Sequence, residues 1–206
     1  MKTFEFGDKN ANTVLIQSVD ERDLNAIYNE IEFIKKNAIS DFKFIAVKTE
    51  DWNTDLSPWK APAVFGKEDF KGGAENTLKF ILRLCEDRSK KYYIGGYSLA
   101  GLFALYASCK TDLFCGVAAA SPSVWFPDFY EFLKRNKIKS DRVYLSLGDK
   151  EEKTKNAVMA TVGDKIRDIF AVLQSENKDC VLEWNEGNHF KDADIRTAKA
   201  FTWLLR

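Results

Sequence analysis

The chain has 206 residues, of which 45% are hydrophobic and 30% charged, and its 31 Lys+Arg balance 31 Asp+Glu to a formal net charge of zero. That length suits one domain spanning 1–206 with a sizeable core, and the composition is that of a globular protein. A balanced charge excludes the basic footprint of a nucleic-acid binder, and no apolar run is long enough to span a bilayer, so neither nucleic acid nor membrane is expected as a partner. The opening stretch Met1–Asp8 has no apolar core of signal-peptide type. Cys85, Cys109, Cys115 and Cys180 form no CxxC pair; buried free thiols in a reducing, cytoplasmic compartment are expected rather than disulfides or a metal.

Strand and helix signals alternate along the chain. Thr13–Gln17 reads as a short apolar strand, after which Leu24, Ile27, Tyr28, Ile31 and Ile34 recur at helical spacing. Phe42–Val47 is the next strand. Asn53 to Gly72 is a long irregular loop containing Pro58, Trp59, Pro62 and Phe65, and long aromatic loops in compact domains are often binding loops. Leu78, Ile81, Leu82 and Cys85 mark a helix, Tyr92–Ile94 a strand, Leu99–Ser108 a helix, and Phe114–Ala119 a strand ending in Ser121-Pro122-Ser123-Val124-Trp125. Val143–Leu147 is a strand followed by Gly148-Asp149-Lys150-Glu151-Glu152. A helix carrying Val158, Val162, Ile166, Ile169, Phe170 and Leu173, a strand Val181–Trp184 and a closing helix Ile195–Leu205 complete the pattern. Such alternation predicts an α/β protein with a mainly parallel sheet covered by helices on both faces, with ligands at the carboxyl ends of the strands.

Three chemical groups follow directly on predicted strands and should meet at that edge. Ser98 lies in Gly95-Gly96-Tyr97-Ser98-Leu99-Ala100-Gly101, at a strand-to-helix junction flanked two residues away by Gly96 and Ala100. A sharp turn needs small residues there, and it holds a hydroxyl above the sheet end, where an adjacent base can activate it as a nucleophile. The bland alternative is a serine that only caps the next helix. His189 is the only histidine, so it is the only imidazole available as general base; otherwise it is a surface loop residue. A carboxylate should orient that imidazole. Asp149, Glu151 and Glu152 follow the strand ending at Leu147, and Asp192 and Asp194 follow His189. Glu151 is preferred for its reach, and its neighbours then read as solvated surface charges. An oxyanion hole would use the backbone N–H of Leu99 and a second one near Val19. Trp59 and Trp125 are the preferred wall of a substrate pocket, against the plainer reading of tryptophans in a core.

On these residues the chain resembles the α/β-hydrolase superfamily and, more narrowly, the esterase D-like branch, which includes feruloyl esterases and siderophore-ester hydrolases. Gly96-Tyr97-Ser98-Leu99-Ala100-Gly101 matches the nucleophile elbow, with Ala100 replacing the usual second glycine. Ser121–Trp125 is similar to the segment this branch carries after the following strand. Gly148–Glu151 matches the position of its acid, where aspartate is commoner. Some siderophore-ester hydrolases use only a serine–histidine pair, so the acid stays open between Glu151, its neighbours and none. The resemblance implies a three-layer α/β-hydrolase fold with reduced N-terminal strands and no lid domain. It further implies hydrolysis of a small-molecule carboxylic ester through an acyl-enzyme on Ser98, with no metal or cofactor. Thioesterase and acyltransferase chemistry share the same residues, and a non-catalytic binding protein of the same fold is the alternative from another class.

Overall fold

In a computed structural model describing residues 1–206, seven strands form one sheet in the order β1-β3-β2-β6-β7-β8-β9. The strands are β1 (Lys2–Gly7), β2 (Thr13–Val19), β3 (Lys43–Lys48), β6 (Lys91–Tyr97), β7 (Phe114–Ala120), β8 (Arg142–Gly148) and β9 (Asp179–Asn185). Only the edge strand β1 runs antiparallel, and all the other pairings are parallel. Between the strands lie α1 (Glu21–Asn37), α2 (Trp52–Asp55), α3 (Ala74–Leu84), α4 (Leu99–Lys110), α5 (Phe129–Arg135) and α6 (Val162–Ser175), with α7 (Ala193–Leu204) after the last strand and a small hairpin of β4 (Lys60–Ala61) and β5 (Phe70–Lys71) between α2 and α3.

The period-two pattern of the central strands divides the core. On β2, Leu15 and Val19 face α1 and α7, packing with Ile27, Ile31 and Ile34 of α1 and Ala198, Phe201 and Leu204 of α7. Val14 and Ile16 point to the opposite face, which Leu78 and Ile81 of α3, Leu102 and Phe103 of α4, and Ile166 and Ile169 of α6 cover. Helix α4 is buried from Leu99 to Cys109; its apolar character all round, without a polar face, is that of a central helix. α1 starts one residue after β2, because Asp20 and Asp23 form a reciprocal cap. No helix is long and apolar enough to cross a membrane.

The structure adds β1 and α5 to the elements expected from the sequence. It also breaks the expected loop at 53–72 into α2 and the β4–β5 hairpin, and starts the helix expected from Val158 at Val162, behind a 3₁₀ turn over Met159–Thr161.

Candidate active site

Ser98 joins β6 to α4 in one residue. Its φ of 56° and ψ of −120° place a non-glycine residue in a strained region that only strong local constraint maintains. That constraint is visible: Ser98 N–H donates to Ala120 O (3.1 Å), and Ser98 O accepts from Leu102 N–H and Ser123 N–H, both at 3.0 Å. A Cβ on Gly96 would lie 2.5 Å from Ala100 Cβ, so the turn closes only because both residues are small. The hydroxyl that results stands 2.9 Å from His189 Nε2 and 3.2 Å from Ser123 Oγ.

His189 comes from the β9–α7 loop. Gly187, at φ +108°, lets that loop double back. Its N–H donates to Asp149 Oδ1 (2.7 Å) and its carbonyl accepts from Lys150 N–H (3.1 Å). Tyr97 O–H donates to His189 O at 2.8 Å and pins the backbone under the ring. Burial, with Glu151 pushing the same way, raises the Tyr97 hydroxyl to about 12, so it remains a neutral donor.

Glu151 opens a 3₁₀ turn just after β8 and its Oε2 lies 2.7 Å from His189 Nδ1. Oε1 accepts from Gly148 N–H (2.7 Å), Ser121 Oγ (2.8 Å) and Arg196 Nη1 (3.1 Å). The other carboxylates go elsewhere. Asp149 shapes the turn through Gly187, Glu152 pairs with Arg167 (3.0 Å), and Asp194 accepts from Asn29 on α1 (3.3 Å).

Two expectations from the sequence are corrected. Trp59 does not line the cleft around Ser98: its indole N–H donates to Pro127 O (3.2 Å) and its ring packs against Phe126, Phe129 and Phe132. Val19 is not brought to the serine either. Its carbonyl accepts from Thr49 N–H on the β3 side, and the N–H and C=O of one strand residue point the same way. Its N–H is therefore turned toward β3, while Ser98 leaves β6 on the other side of β2. The next N–H, of Asp20, is donated to Asp23 Oδ2 (3.1 Å) in the α1 cap. Leu99, by contrast, is the first residue of α4, where a helix N–H has no carbonyl of a preceding turn to bond.

The cleft encloses about 870 Å³ and includes Ser98, His189 and Tyr97. Trp125 forms part of its wall with Trp52, Phe65 and Met159, and is itself wedged edge-on against Phe65 (5.9 Å between centroids). No group of three or more His, Cys, Asp or Glu side chains is placed to hold a metal ion.

Sequence reasoning missed Arg196, whose guanidinium is almost fully buried and joins Glu151, Tyr97 O–H (3.1 Å), Ser121 Oγ (3.3 Å) and Glu186 O (3.1 Å). A charged residue on the same helical stripe as Ala200 and Leu204 was the available signal. Ser121 and Ser123 were seen only as a family-like segment, not as partners of the acid and the serine.

No protein-family model and no curated protein matches the chain. Solved structures do. A siderophore hydrolase, EstA, from Aspergillus nidulans is 20% identical, with a TM-score of 0.69 over 96% of this chain and 83% of that one. An IroE-like serine hydrolase from Shewanella oneidensis is 16% identical, with a TM-score of 0.78 over 98% of this chain and 75% of that one. A Bacillus cereus carboxylesterase is 13% identical, with a TM-score of 0.65 over 100% of this chain and 95% of that one. The mostly parallel sheet, the serine at its strand-to-helix turn and these likenesses define a protein of the α/β-hydrolase fold.

Proposed function

We propose that the chain is a serine hydrolase of the esterase D-like kind that cleaves small-molecule carboxylic esters. The observation that carries this reading is the unbroken chain from Ser98 Oγ to His189 Nε2 (2.9 Å) and from His189 Nδ1 to Glu151 Oε2 (2.7 Å), opening on a cleft. With Nδ1 protonated toward the carboxylate, Nε2 is the acceptor that takes the serine proton as Oγ attacks the ester carbonyl. Glu151 then faces the imidazolium, and the Leu99 N–H at the start of α4 meets the developing oxyanion. His189 returns the proton to the leaving alcohol, and water, activated by the same nitrogen, releases the acid from Ser98. Trp125, Phe65, Trp52 and Met159 offer an apolar wall to the substrate.

Two further considerations support the reading: the neighbours above are described as hydrolases and esterases, and the strain at Ser98 is of the kind that clusters at working sites. A cytoplasmic setting fits four free cysteines, of which Cys85 and Cys109 are pushed up to about 12 by burial and are inert thiols.

The test is labelling by a fluorophosphonate probe together with turnover of a panel of p-nitrophenyl esters and thioesters. Wild type should label and hydrolyse. Ser98→Ala should lose labelling and about 10⁴-fold or more of the turnover while keeping its melting temperature. Preference within the panel separates esterase from thioesterase. A folded wild-type protein that neither labels nor turns over any ester would instead be a binding protein on a hydrolase fold.

A further inference from the structure

The segment that follows β7 reaches both ends of the Ser98–His189–Glu151 chain. Ser121 is buried in a left-handed conformation, with φ at 43°, a setting that only firm surroundings keep in a non-glycine residue. Its N–H donates to Ser146 O (3.0 Å) and its hydroxyl to Glu151 Oε1 (2.8 Å). Two residues on, Ser123 is 1% exposed. Its main chain is held on both sides: the N–H donates to Ser98 O (3.0 Å) and the carbonyl accepts from Phe126 N–H (2.9 Å). Its hydroxyl has a single partner, Ser98 Oγ, at 3.2 Å.

Which of the two serines donates follows from counting hydrogens. A hydroxyl has one hydrogen to give and two lone pairs. Ser98 Oγ has two neighbours, His189 Nε2 at 2.9 Å and Ser123 Oγ. With the proton of the neutral imidazole on Nδ1, toward Glu151 Oε2 (2.7 Å), Nε2 can only accept, so it takes the Ser98 hydrogen. The hydrogen between the serines is then Ser123's, and it points at the nucleophilic oxygen. Ser123 meets that oxygen from within the protein, since it is not among the residues that line the cleft. A bond of this kind strengthens as its acceptor gains negative charge. Ser98 Oγ does so twice: when His189 draws off its proton during attack, and when it departs from the acyl group in the second half of the reaction. A donor already in place, on a side closed to water, serves both moments without rearrangement.

We propose that Ser123 is a fourth catalytic residue, whose O–H keeps Ser98 Oγ aimed and stabilises the charge that passes through it in acylation and in deacylation. Ser123 keeps its own proton throughout; the proton in transit is Ser98's, which moves to His189 Nε2 and on to the leaving alcohol. The inference rests on the serine-hydrolase reading for the reaction it assists.

Ser123→Ala isolates the hydroxyl, because both bonds of the Ser123 main chain survive it. The measurements are the second-order rate of fluorophosphonate labelling at Ser98, kcat and KM on p-nitrophenyl acetate and butyrate, and the melting temperature. Labelling rate and kcat should each fall about tenfold, the scale of one hydrogen bond to a charged group. KM should stay within about twofold for both esters, the pattern of an interaction made to the reacting atom and not to the substrate. Ser123→Thr, which returns a hydroxyl to the same Cβ, should recover most of the loss; if the added methyl lowers its melting temperature, Ser123→Cys, with its weak S–H donor, should fall between alanine and serine. Wild-type rates in a folded Ser123→Ala protein would overturn the inference and leave the hydrolase reading standing. So would a raised KM at unchanged kcat, which would assign the hydroxyl to substrate binding, or a loss that neither Thr nor Cys recovers, which would assign it to packing. A wild-type protein that neither labels nor hydrolyses overturns the hydrolase reading and takes this inference with it.

Discussion

Glu151→Gln exchanges one oxygen for an NH₂ group, and the surroundings dictate how the amide must sit. Oε1 is met by Gly148 N–H, Ser121 Oγ and Arg196 Nη1 at 2.7, 2.8 and 3.1 Å. Neither the backbone N–H nor the guanidinium can accept a hydrogen bond, so the amide oxygen is forced to that side. The NH₂ group then replaces Oε2 and faces His189 Nδ1, at 2.7 Å in the native protein. A donor there requires Nδ1 to be bare. The single proton of the neutral ring moves to Nε2, 2.9 Å from Ser98 Oγ, where an acceptor is needed. Holding the ring in the wrong tautomer costs about 10⁴-fold in kcat where it has been imposed on a serine–histidine–aspartate triad, or about 5 kcal/mol of transition-state stabilisation. The assay is kcat on a p-nitrophenyl ester, with melting temperature followed alongside. Glu152→Gln is the control: it loses an ion pair whose Arg167 side is 47% exposed, and surface changes of that kind move stability by only about 0.5 kcal/mol. A folded Glu151→Gln protein retaining kcat within about tenfold of wild type would refute the reasoning and leave a Ser98–His189 pair as the working unit.

Arg196→Met removes a buried cation that donates to Glu151, Tyr97, Ser121 and the Glu186 carbonyl; breaking such a pair costs about 3–5 kcal/mol, so thermal unfolding should fall by roughly 10 °C, and an unchanged melting temperature would show the pair to be idle. Asp23 has its folded value raised from 3.8 to about 6, so between those values the folded state binds more protons than the unfolded state and stability declines as pH rises through that window. Asp23→Asn, which keeps an oxygen for the Asp20 N–H, should flatten that decline in urea titrations run across the same pH range. Gly96→Val should slow fluorophosphonate labelling of Ser98 severely, because its Cβ would press on Ala100 Cβ at 2.5 Å and overpacking of about 1–3 kcal/mol falls on the turn that aims the hydroxyl; undiminished labelling would mean that the turn relaxes.

Much of the architecture was legible because the central strands and helices carry their own periods. β2 alternates its two faces between the two layers, and α4 is buried from Leu99 to Cys109. The elements that escaped are those whose pairing, rather than composition, defines them. β1 is an exposed edge strand, with Phe4 and Phe6 alternating with polar residues, and it exists through its antiparallel register with β3. The β4–β5 hairpin is two residue pairs, Lys60 with Lys71 and Ala61 with Phe70, which no local signal distinguishes from a loop. α5 is seven residues long, and its first residue follows an Asp128 in a left-handed conformation that makes no side-chain cap.

The site divides along the same line. Ser98 was legible because a strained turn writes its needs into residues two away on either side, and His189 because there is no other imidazole. Choosing Glu151 over Asp149 and Glu152 needed only reach, and the structure shows the division of tasks that reach implies: Asp149 ties down the loop carrying His189, Glu152 goes out to Arg167, and Glu151 turns inward. What could not be read is direction. Val19 follows the right strand, yet its amide points at β3; Trp59 sits in the right loop, yet its indole is spent on Pro127. Nor does a net charge of zero hint at the acidic side of the cleft wall, because its members come from residues 20–30 and 192–194 and meet only when α7 packs beside α1. The turn at Ser98 is therefore specified by a short stretch of chain, whereas the make-up of the cleft wall is specified by how distant stretches are folded together, and it is the second that a sequence read along its length conceals.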